Sequence, residues 1–315
     1  MTARWPSQTN QMTSLTIANH TLTWADRTYV MGILNLTPDS FSGDGLLASA
    51  GTSPADLQEK EADLAGGALE RARSFLAAGA DILDLGGEST RPGSQPVEAQ
   101  EELRRVIPAI RAIAAEFPDA LISIDTYKAA VAEAAFEAGA SILNDVWGLR
   151  ADPDLAAVTA KANAAVVLMH NRSTPANIEV RQRLGNAYQG AEYKDLIKDV
   201  KRELMDSVRV ARSAGIADGH IILDPGIGFG KTVAQNLELI NHLQEIRDLG
   251  FPVLLGPSRK SFIGYTLDLP PDQRLEGTAA AVSVGIMRGA NIVRVHDVKF
   301  MLRVVRMTDA ILRGK

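Results

Sequence analysis

The chain has 315 residues, of which 46% are hydrophobic and 23% charged, with a formal net charge of −5 and no cysteine. This balance is typical of a soluble globular protein with a large core, and it argues against broad binding to nucleic acid or anionic membranes. The absence of cysteine excludes disulfides, thiolate metal sites and cysteine nucleophiles, and it fits a reducing compartment such as the cytoplasm. No apolar run approaches the roughly 18 residues of a membrane span.

The N-terminal region divides into two parts. Residues 1–14 lack the apolar stretch of a signal peptide, so we expect a disordered tail there. Residues 15–29 alternate between polar and apolar side chains like a short hairpin, which we expect to cap the bottom of the following fold. No second domain is indicated, so residues 15–315 are predicted to form a single domain.

Eight short apolar runs follow, separated by amphipathic segments rich in Ala and Glu. Several runs come directly after a helix end that contains Gly, at residues 77–81, 137–141 and 288–291. A helix that stops at Gly and leads into a buried strand is typical of a parallel sheet. Eight such units predict a (β/α)8 TIM barrel of the α/β class rather than a doubly wound sheet. The runs are YVMGILN, ADILDLGG, LISIDT, SILNDV, AAVVLMH, IILDPG, PVLLGPS and NIVRVHD.

Polar or ionisable residues stand at the end of every one of these runs. In a barrel, all strand ends of this kind meet at the C-terminal face, where active sites lie. A single strand-end aspartate is often only a helix cap or a turn former, but eight strands out of eight indicate a functional site. The series is Asn35, Asp84 through Glu88, Asp125, Asn144 with Asp145, His170, Asp224, Ser258 to Lys260, and Arg294 with His296.

Two carboxylates and an amide from the third, fourth and sixth predicted strands suit one kind of ligand. Asp125, Asn144 and Asp224 together can bind a flat heterocycle that carries amino and ring N–H donors. Buried carboxylates without a partner are costly, so they imply a ligand or a cation, and Lys260 is the candidate positive partner. A structural ion pair between Asp224 and Lys260 is the simpler alternative, although it leaves Asn144 unexplained.

A second set of rim residues is basic. Arg294 and His296 are two residues apart, so they face the same side of a strand, and Arg91 lies in a predicted loop. With Asn35 and the nearby glycine turns, they predict a site for phosphate or pyrophosphate. A salt bridge at the barrel rim is the alternative for Arg294.

Residues 222–232, ILDPGIGFGKT, come close to a nucleotide-binding P-loop without matching it. If Gly230, Lys231 and Thr232 formed its second half, the first glycine would fall on Pro225, which has no N–H to offer a phosphate. His170 is as well explained by a core position as by a direct role, and the histidines are too scattered for a zinc site. With no nucleophile evident, the rim indicates a ring pocket beside an anion site, which suits a reaction that releases pyrophosphate.

The motifs resemble those of dihydropteroate synthases, in the family's order, over roughly residues 29–312. The family joins p-aminobenzoate to 6-hydroxymethyl-7,8-dihydropterin pyrophosphate in folate biosynthesis, which is a transfer of the pterinylmethyl group. The resemblance implies Mg²⁺ as cofactor and a homodimer, with no nucleic-acid or membrane partner. It also implies that the C–O bond breaks largely before the amine attacks, so no nucleophile is needed. The matching segments are MGILNLTPDSFS, ILDLGGESTRPGS, ISIDTYK, ILNDVWG, VLMHNR, ILDPGIGFGKT, SRKSFIG and IVRVHDVK.

The resemblance also implies roles for individual residues. It makes Asp125, Lys260, Arg294 and His296 catalytic and relates Asn35 to the magnesium ion. Contacts to the pterin are implied for Asp125, Asn144, Met169, Asp224 and Lys260, and contacts to pyrophosphate for Asn35, Arg91, Arg294 and His296. The p-aminobenzoate site is implied to include Phe41, Thr90, Pro92, Phe229 and Ser261.

Three departures from the family's pattern concern loops. The family usually continues TPDSFS with Asp-Gly-Gly, whereas this chain has Gly43, Asp44 and Gly45, which displaces the loop aspartate by one position. Residues 46–66 look longer than usual and are expected to alter the lid, and Pro257 is expected to stiffen the loop before Ser258.

Two other functions stay open from the sequence. A methyltransferase that passes a methyl group from methyltetrahydrofolate to a corrinoid shares the barrel and the Asp–Asn–Asp ring site, but it does not require the Arg294 and His296 pair. A catalytically silent pterin-binding paralogue is the alternative outside enzymes, and only the altered Gly43-Asp44 pair supports it.

Overall fold

In the computed structural model, eight parallel strands form one sheet that closes into a barrel. The structure describes residues 12–37, 54–90, 93–174, 178–179, 183–188 and 190–314. The barrel strands are β3 Tyr29–Asn35, β4 Ile82–Gly86, β5 Leu121–Asp125, β6 Ile142–Asp145, β7 Ala165–Met169, β10 Ile221–Asp224, β11 Leu254–Leu255 and β12 Ile292–Val295. Around the barrel the order of neighbouring strands is β10, β7, β6, β5, β4, β3, β12 and β11, and a parallel bridge between Leu223 and Val253 closes the ring.

Helices follow each barrel strand and form the outer layer, which confirms the predicted (β/α)8 barrel. Gly79, Gly139 and Gly289, the glycines of the three repeated phrases, all have positive φ and end their helices as predicted. The helices are α1 Pro54–Ala78, α2 Ala99–Glu116, α3 Ala129–Ala138, α4 Leu155–Lys161, α5 Leu196–Ser213, α6 Val233–Asn241, α7 Leu243–Arg247, α8 Ser261–Leu267, α9 Leu275–Met287 and α10 Val298–Arg313.

Alternation along the strands decides which side chains enter the barrel lumen. Residues such as Leu83, Leu85 and Ile124 belong to the core between the sheet and the helices, and the residues between them therefore point inward. The lower lumen is filled by a separate apolar cluster that includes Met31 and Ile82. Above this cluster the inward positions become polar, so the barrel has an apolar floor and a polar upper end.

The N-terminal hairpin caps the bottom of the barrel, as predicted. It pairs β1, Ser14–Ile17, antiparallel with β2, His20–Thr23. Its apolar side chains, with Trp24, pack on the apolar cluster of the lower lumen. The hairpin therefore covers this end, and the polar end of the lumen lies at the opposite face.

Two local features differ from the sequence reading. The segment after β7 contains a second short hairpin, β8 Ile178–Glu179 with β9 Ala187–Tyr188, that the sequence did not indicate. The extended region 46–66 is partly helical, because α1 begins at Pro54. The rest of that region, the loop with Asp44 and most of the N-terminal tail lie outside the described residues.

Candidate active site

The polar upper lumen brings together the residues predicted to bind a ring. Asp125 and Asn144 are register partners at the ends of β5 and β6, and Asp224 ends β10. All three are at least nine-tenths buried, and burial raises the pKa of Asp125 to about 7, although the guanidinium of Arg294 opposes this rise. Two acidic groups and an amide thus share one enclosed space.

Asp84 also belongs to this cluster. The sequence predicts it at the barrel rim but does not indicate a role for it. It is fully buried, its Oδ2 accepts a hydrogen bond from Asn144 Nδ2 at 3.0 Å, and the same oxygen pairs with Arg294 Nε at 2.5 Å. Asp84 therefore positions Asn144 of the predicted ring site and Arg294 of the predicted anion site. Inward periodicity from Ile82 could have identified it, because Asp84 is the next inward position of β4.

Arg294 lies across the upper lumen rather than at its outer edge. Besides Asp84, it donates through a terminal nitrogen to Asp125 Oδ2 at 2.5 Å. Burial lowers the pKa of Arg294, but the two carboxylates raise it by more. The pKa therefore lies above its ordinary value, and the guanidinium stays charged. The arginine thus pairs with both acidic groups, which lowers the cost of burying their charge.

Asp224 and Lys260 do not form the direct ion pair that was the simpler alternative. Asp224 Oδ1 accepts from the backbone N–H of Gly226 at 2.7 Å, while Lys260 Nζ donates to the carbonyl of Ile227 and lies 4.6 Å from the Phe229 ring centre. Burial raises the pKa of Asp224 and lowers that of Lys260 to about 8, with Asp224 opposing the second shift. Among the described residues, no hydrogen bond to Asp224 Oδ2 is seen, so this oxygen is available to accept one.

His296 and Asn35 lie beside this cluster. His296 follows β12 two positions after Arg294, and its backbone N–H and ring Nδ1 contact Ser258 Oγ at 3.2 and 3.0 Å. Asn35 ends β3 at an inward, half-buried position. The strand ends therefore bring both residues to the same face of the barrel as Arg294.

Four further residues predicted to contact the substrates lie at the same face of the barrel. Met169 ends β7 and is buried, while Thr90, Phe229 and Ser261 are half-buried residues of the loops at this face or of the helix start that follows. Phe41, Arg91 and Pro92 lie outside the described residues, so their placement stays a prediction.

The prediction that Asp145 belongs to the rim of the site is wrong. It follows Asn144 and points outward, where Oδ1 accepts from Trp147 N at 2.8 Å and Oδ2 from Leu149 N at 2.5 Å. Burial raises the pKa of Asp145 to about 6, and these backbone bonds oppose the shift. Asp145 stabilises the turn after β6, which is the ordinary role of a strand-end aspartate.

Comparison with known proteins agrees with this geometry. The sequence profile described as pterin binding enzyme matches residues 31–296. A dihydropteroate synthase of Clostridium beijerinckii is 47% identical over 289 residues, which cover 91% of this chain and 96% of that protein. No helix within the described residues is long and apolar enough to span a membrane.

Solved structures agree as well. A Clostridium difficile dihydropteroate synthase in the presence of pteroic acid has 46% identity and a TM-score of 0.78, covering 92% of this chain and 98% of that chain. A Xanthomonas albilineans dihydropteroate synthase with 4-aminobenzoic acid has 38% identity and a TM-score of 0.80, covering 95% and 98%. The chain belongs to the pterin-binding enzymes. Within them its function is dihydropteroate synthesis, so it is a transferase of folate biosynthesis.

Proposed function

We propose that the upper lumen binds 6-hydroxymethyl-7,8-dihydropterin pyrophosphate with the ring edge against Asp125, Asn144 and Asp224. The observation that carries this proposal is the convergence of these acceptors at the polar end of a barrel whose other end is covered by the hairpin. The pterin ring presents amino and ring N–H groups, and carboxylate and amide oxygens are matched acceptors for them. Lys260 donates to the ring from the side of Asp224, and Met169 packs against its face.

Arg294 has a second role in this proposal. When the pterin supplies N–H donors to Asp125, the guanidinium no longer needs to neutralise that carboxylate and can meet the pyrophosphate with His296 and Arg91. The C–O bond to pyrophosphate breaks and the leaving group takes the electron pair. Fixed positive charge beside that oxygen stabilises the developing anion.

The amine of p-aminobenzoate then forms a bond to the pterin methylene carbon, and the nitrogen loses a proton to water. We assign Phe41, Thr90, Pro92, Phe229 and Ser261 to its site. The half-buried ring of Phe229 supports this assignment, because it lies over Lys260 Nζ and so stands at the border of the proposed pterin pocket.

A magnesium ion fits this site only as a partner of the substrate. No group of three His, Asp or Glu side chains that could hold a metal lies within the described residues. Asn35 offers one amide oxygen at the lumen, and Mg²⁺ commonly combines few protein ligands with waters and phosphate oxygens. When bound, the ion would withdraw charge from the leaving pyrophosphate.

Pyrophosphate release tests these substrate assignments. We expect dihydropteroate and pyrophosphate to form in equal amounts only when the dihydropterin pyrophosphate, p-aminobenzoate and Mg²⁺ are all present. The measurement is coupled phosphate detection beside chromatography of the product. Turnover that persists after chelation of Mg²⁺ would contradict the proposed role of the metal. Pyrophosphate release that does not depend on p-aminobenzoate would contradict the proposed coupling of the two substrates.

We also propose that the chain forms a homodimer through α9 and α10 and works in the cytoplasm. Val284, Met287, Phe300, Met307 and Ile311 are exposed on these two helices, and Met307 and Ile311 expose 62% and 70% of their surface. Beside them lies a groove of about 460 Å³ lined by Met287, Val304 and Leu312. Protruding side chains and a groove on one patch are what a two-fold interface needs.

We expect Met307→Asp to convert a dimer into a monomer, because a charge would then lie in an apolar interface. Sedimentation velocity measures the change. Val210→Asp is the matched control, since Val210 is 39% exposed on α5, which packs between α4 and α6 in the outer layer. A wild-type chain that sediments as a monomer, or a Met307→Asp variant that stays dimeric, would refute the proposed interface.

A further inference from the structure

The lysine of the Gly-Lys-Thr sequence lies behind the proposed active site, where no phosphate can reach it. Lys231 is only 2% exposed. Its ammonium group donates to the carbonyl oxygens of Gly226 at 2.8 Å and Phe229 at 2.9 Å, and it lies 3.1 Å from Nδ1 of His170. It also lies 3.5 Å from the carbonyl oxygen of His170, so protein acceptors engage all three donors of the ammonium group.

His170 and Glu203 continue this contact into the protein. Burial lowers the pKa of His170 to about 4, so the ring is neutral and Nδ1 can accept from Lys231 only if Nε2 carries the proton. Nε2 lies 3.0 Å from Glu203 Oε2, so the protonated Nε2 donates a hydrogen bond to this carboxylate oxygen. Arg172 also pairs with Glu203, so the carboxylate end of the chain is fixed.

The turn that Lys231 holds is the one that borders Lys260. It covers residues 225–230, which we call the glycine turn. The carbonyl of Ile227 accepts from Lys260 Nζ, and the ring of Phe229 lies over the same ammonium group. A Cβ added at Gly228 would lie 2.9 Å from Lys260 Cδ, so the backbone also contacts the lysine stem.

We infer that Lys231 is a positioning residue, which fixes the glycine turn so that Phe229 and Lys260 keep the placement required at the p-aminobenzoate side of the site. His170 and Glu203 hold its ammonium group in position. The inference rests on the proposed role of Phe229. It explains why a lysine follows the turn although the loop cannot bind a phosphate.

Lys231→Met keeps the aliphatic stem and removes the three hydrogen bonds. We expect the KM for p-aminobenzoate to rise at least about tenfold, because Phe229 O loses its anchor. The dissociation constant of the pterin pyrophosphate should change less than about threefold, since Asp125, Asn144 and Asp224 are held by strands. A residue that only stabilises the fold would lower the melting temperature and the active fraction without separating these two constants. Lys201→Met, on the outer helix α5, is the matched control.

Two substitutions of His170 keep the inference testable if Lys231→Met does not fold. Asn can place an oxygen near the position of Nδ1, whereas Gln places its amide near Nε2. We therefore expect His170→Asn to retain a KM for p-aminobenzoate close to that of the wild type, and His170→Gln to show the raised KM.

Phe229→Leu separates the two ways in which the inference can fail. If Phe229→Leu leaves the KM for p-aminobenzoate unchanged, the proposed role of Phe229 is wrong and the inference falls with it. If Phe229→Leu raises that KM but Lys231→Met and His170→Gln do not, the proposed role of Phe229 stands and the positioning role of Lys231 is refuted. The same conclusion follows if the two His170 variants behave alike.

Discussion

Replacing Arg294 with alanine is expected to lower turnover about 10³-fold, the loss typical when a preorganised donor to a developing anion is removed. Its half-buried guanidinium already lies across the upper lumen, where it pairs with Asp84 and Asp125. In the proposed reaction the guanidinium binds the departing pyrophosphate and stabilises the negative charge that develops on it. The affinity for a pterin without pyrophosphate should depend on Arg294 much less.

A purely structural role for Arg294 also predicts lost activity, so the alanine variant alone is insufficient. Removing one partner of a buried ion pair typically costs about 3–5 kcal/mol, and two carboxylates would be left unpaired here. Arg294→Lys separates the roles, because it keeps a positive charge between Asp84 and Asp125 but loses the planar fork that binds a phosphate through two bonds.

We expect Arg294→Lys to melt within a few degrees of the wild type and still lose on the order of 10²-fold in kcat. The measurements are the melting temperature, kcat and the dissociation constant of 6-hydroxymethylpterin. Arg212→Ala is the matched control, since Arg212 makes a two-bond pair with Asp218 at the surface. A folded Arg294→Lys enzyme with the turnover of the wild type would show that only the charge pair matters.

The barrel and the inward placement of Asp125, Asn144 and Asp224 could be predicted from the sequence because both depend on strand periodicity. A strand that alternates between a helix-facing and a lumen-facing side fixes the direction of each side chain once its bounds are known. Asp125, Asn144 and Asp224 therefore meet as expected. Asp145 does not follow this pattern, because a polar residue at a strand end can equally point outward and stabilise a turn.

Partners across the lumen could not be predicted, because they depend on distances between strands that are far apart in the chain. Asp84 and Arg294 are separated by 210 positions, and only closure of the barrel places them 2.5 Å apart. Lys231 is a similar case, since its burial follows from the shape of the glycine turn rather than from any sequence motif. The hairpin β8–β9 consists of two-residue strands, which are too short to produce a periodic pattern.

The affinity for the pterin is expected to fall on the order of 10³-fold in Asp224→Asn, about 4 kcal/mol. Asparagine can keep its carbonyl oxygen towards Gly226 N, which Asp224 Oδ1 contacts at 2.7 Å, so the turn is retained. The other position then changes from a carboxylate oxygen to an NH₂ group. That group would face the N–H donors of the ring, so a hydrogen bond to a charged acceptor is replaced by an unfavourable contact between two donors.

Asp145→Asn gives the control that decides what such a loss means. Asp145 is also a buried strand-end aspartate that accepts from backbone N–H groups, but it points away from the lumen. The Asp145→Asn variant should lose stability and keep its pterin affinity, whereas Asp224→Asn should keep stability and lose affinity. Calorimetric titration measures the affinity and thermal melting measures the stability. If both variants lose only stability, Asp224 is a turn former like Asp145, and ring recognition would have to come from Asp125 and Asn144 alone. If affinity falls only in Asp224→Asn, the inward direction of a strand-end carboxylate is what separates a ligand-binding group from a structural one in this barrel.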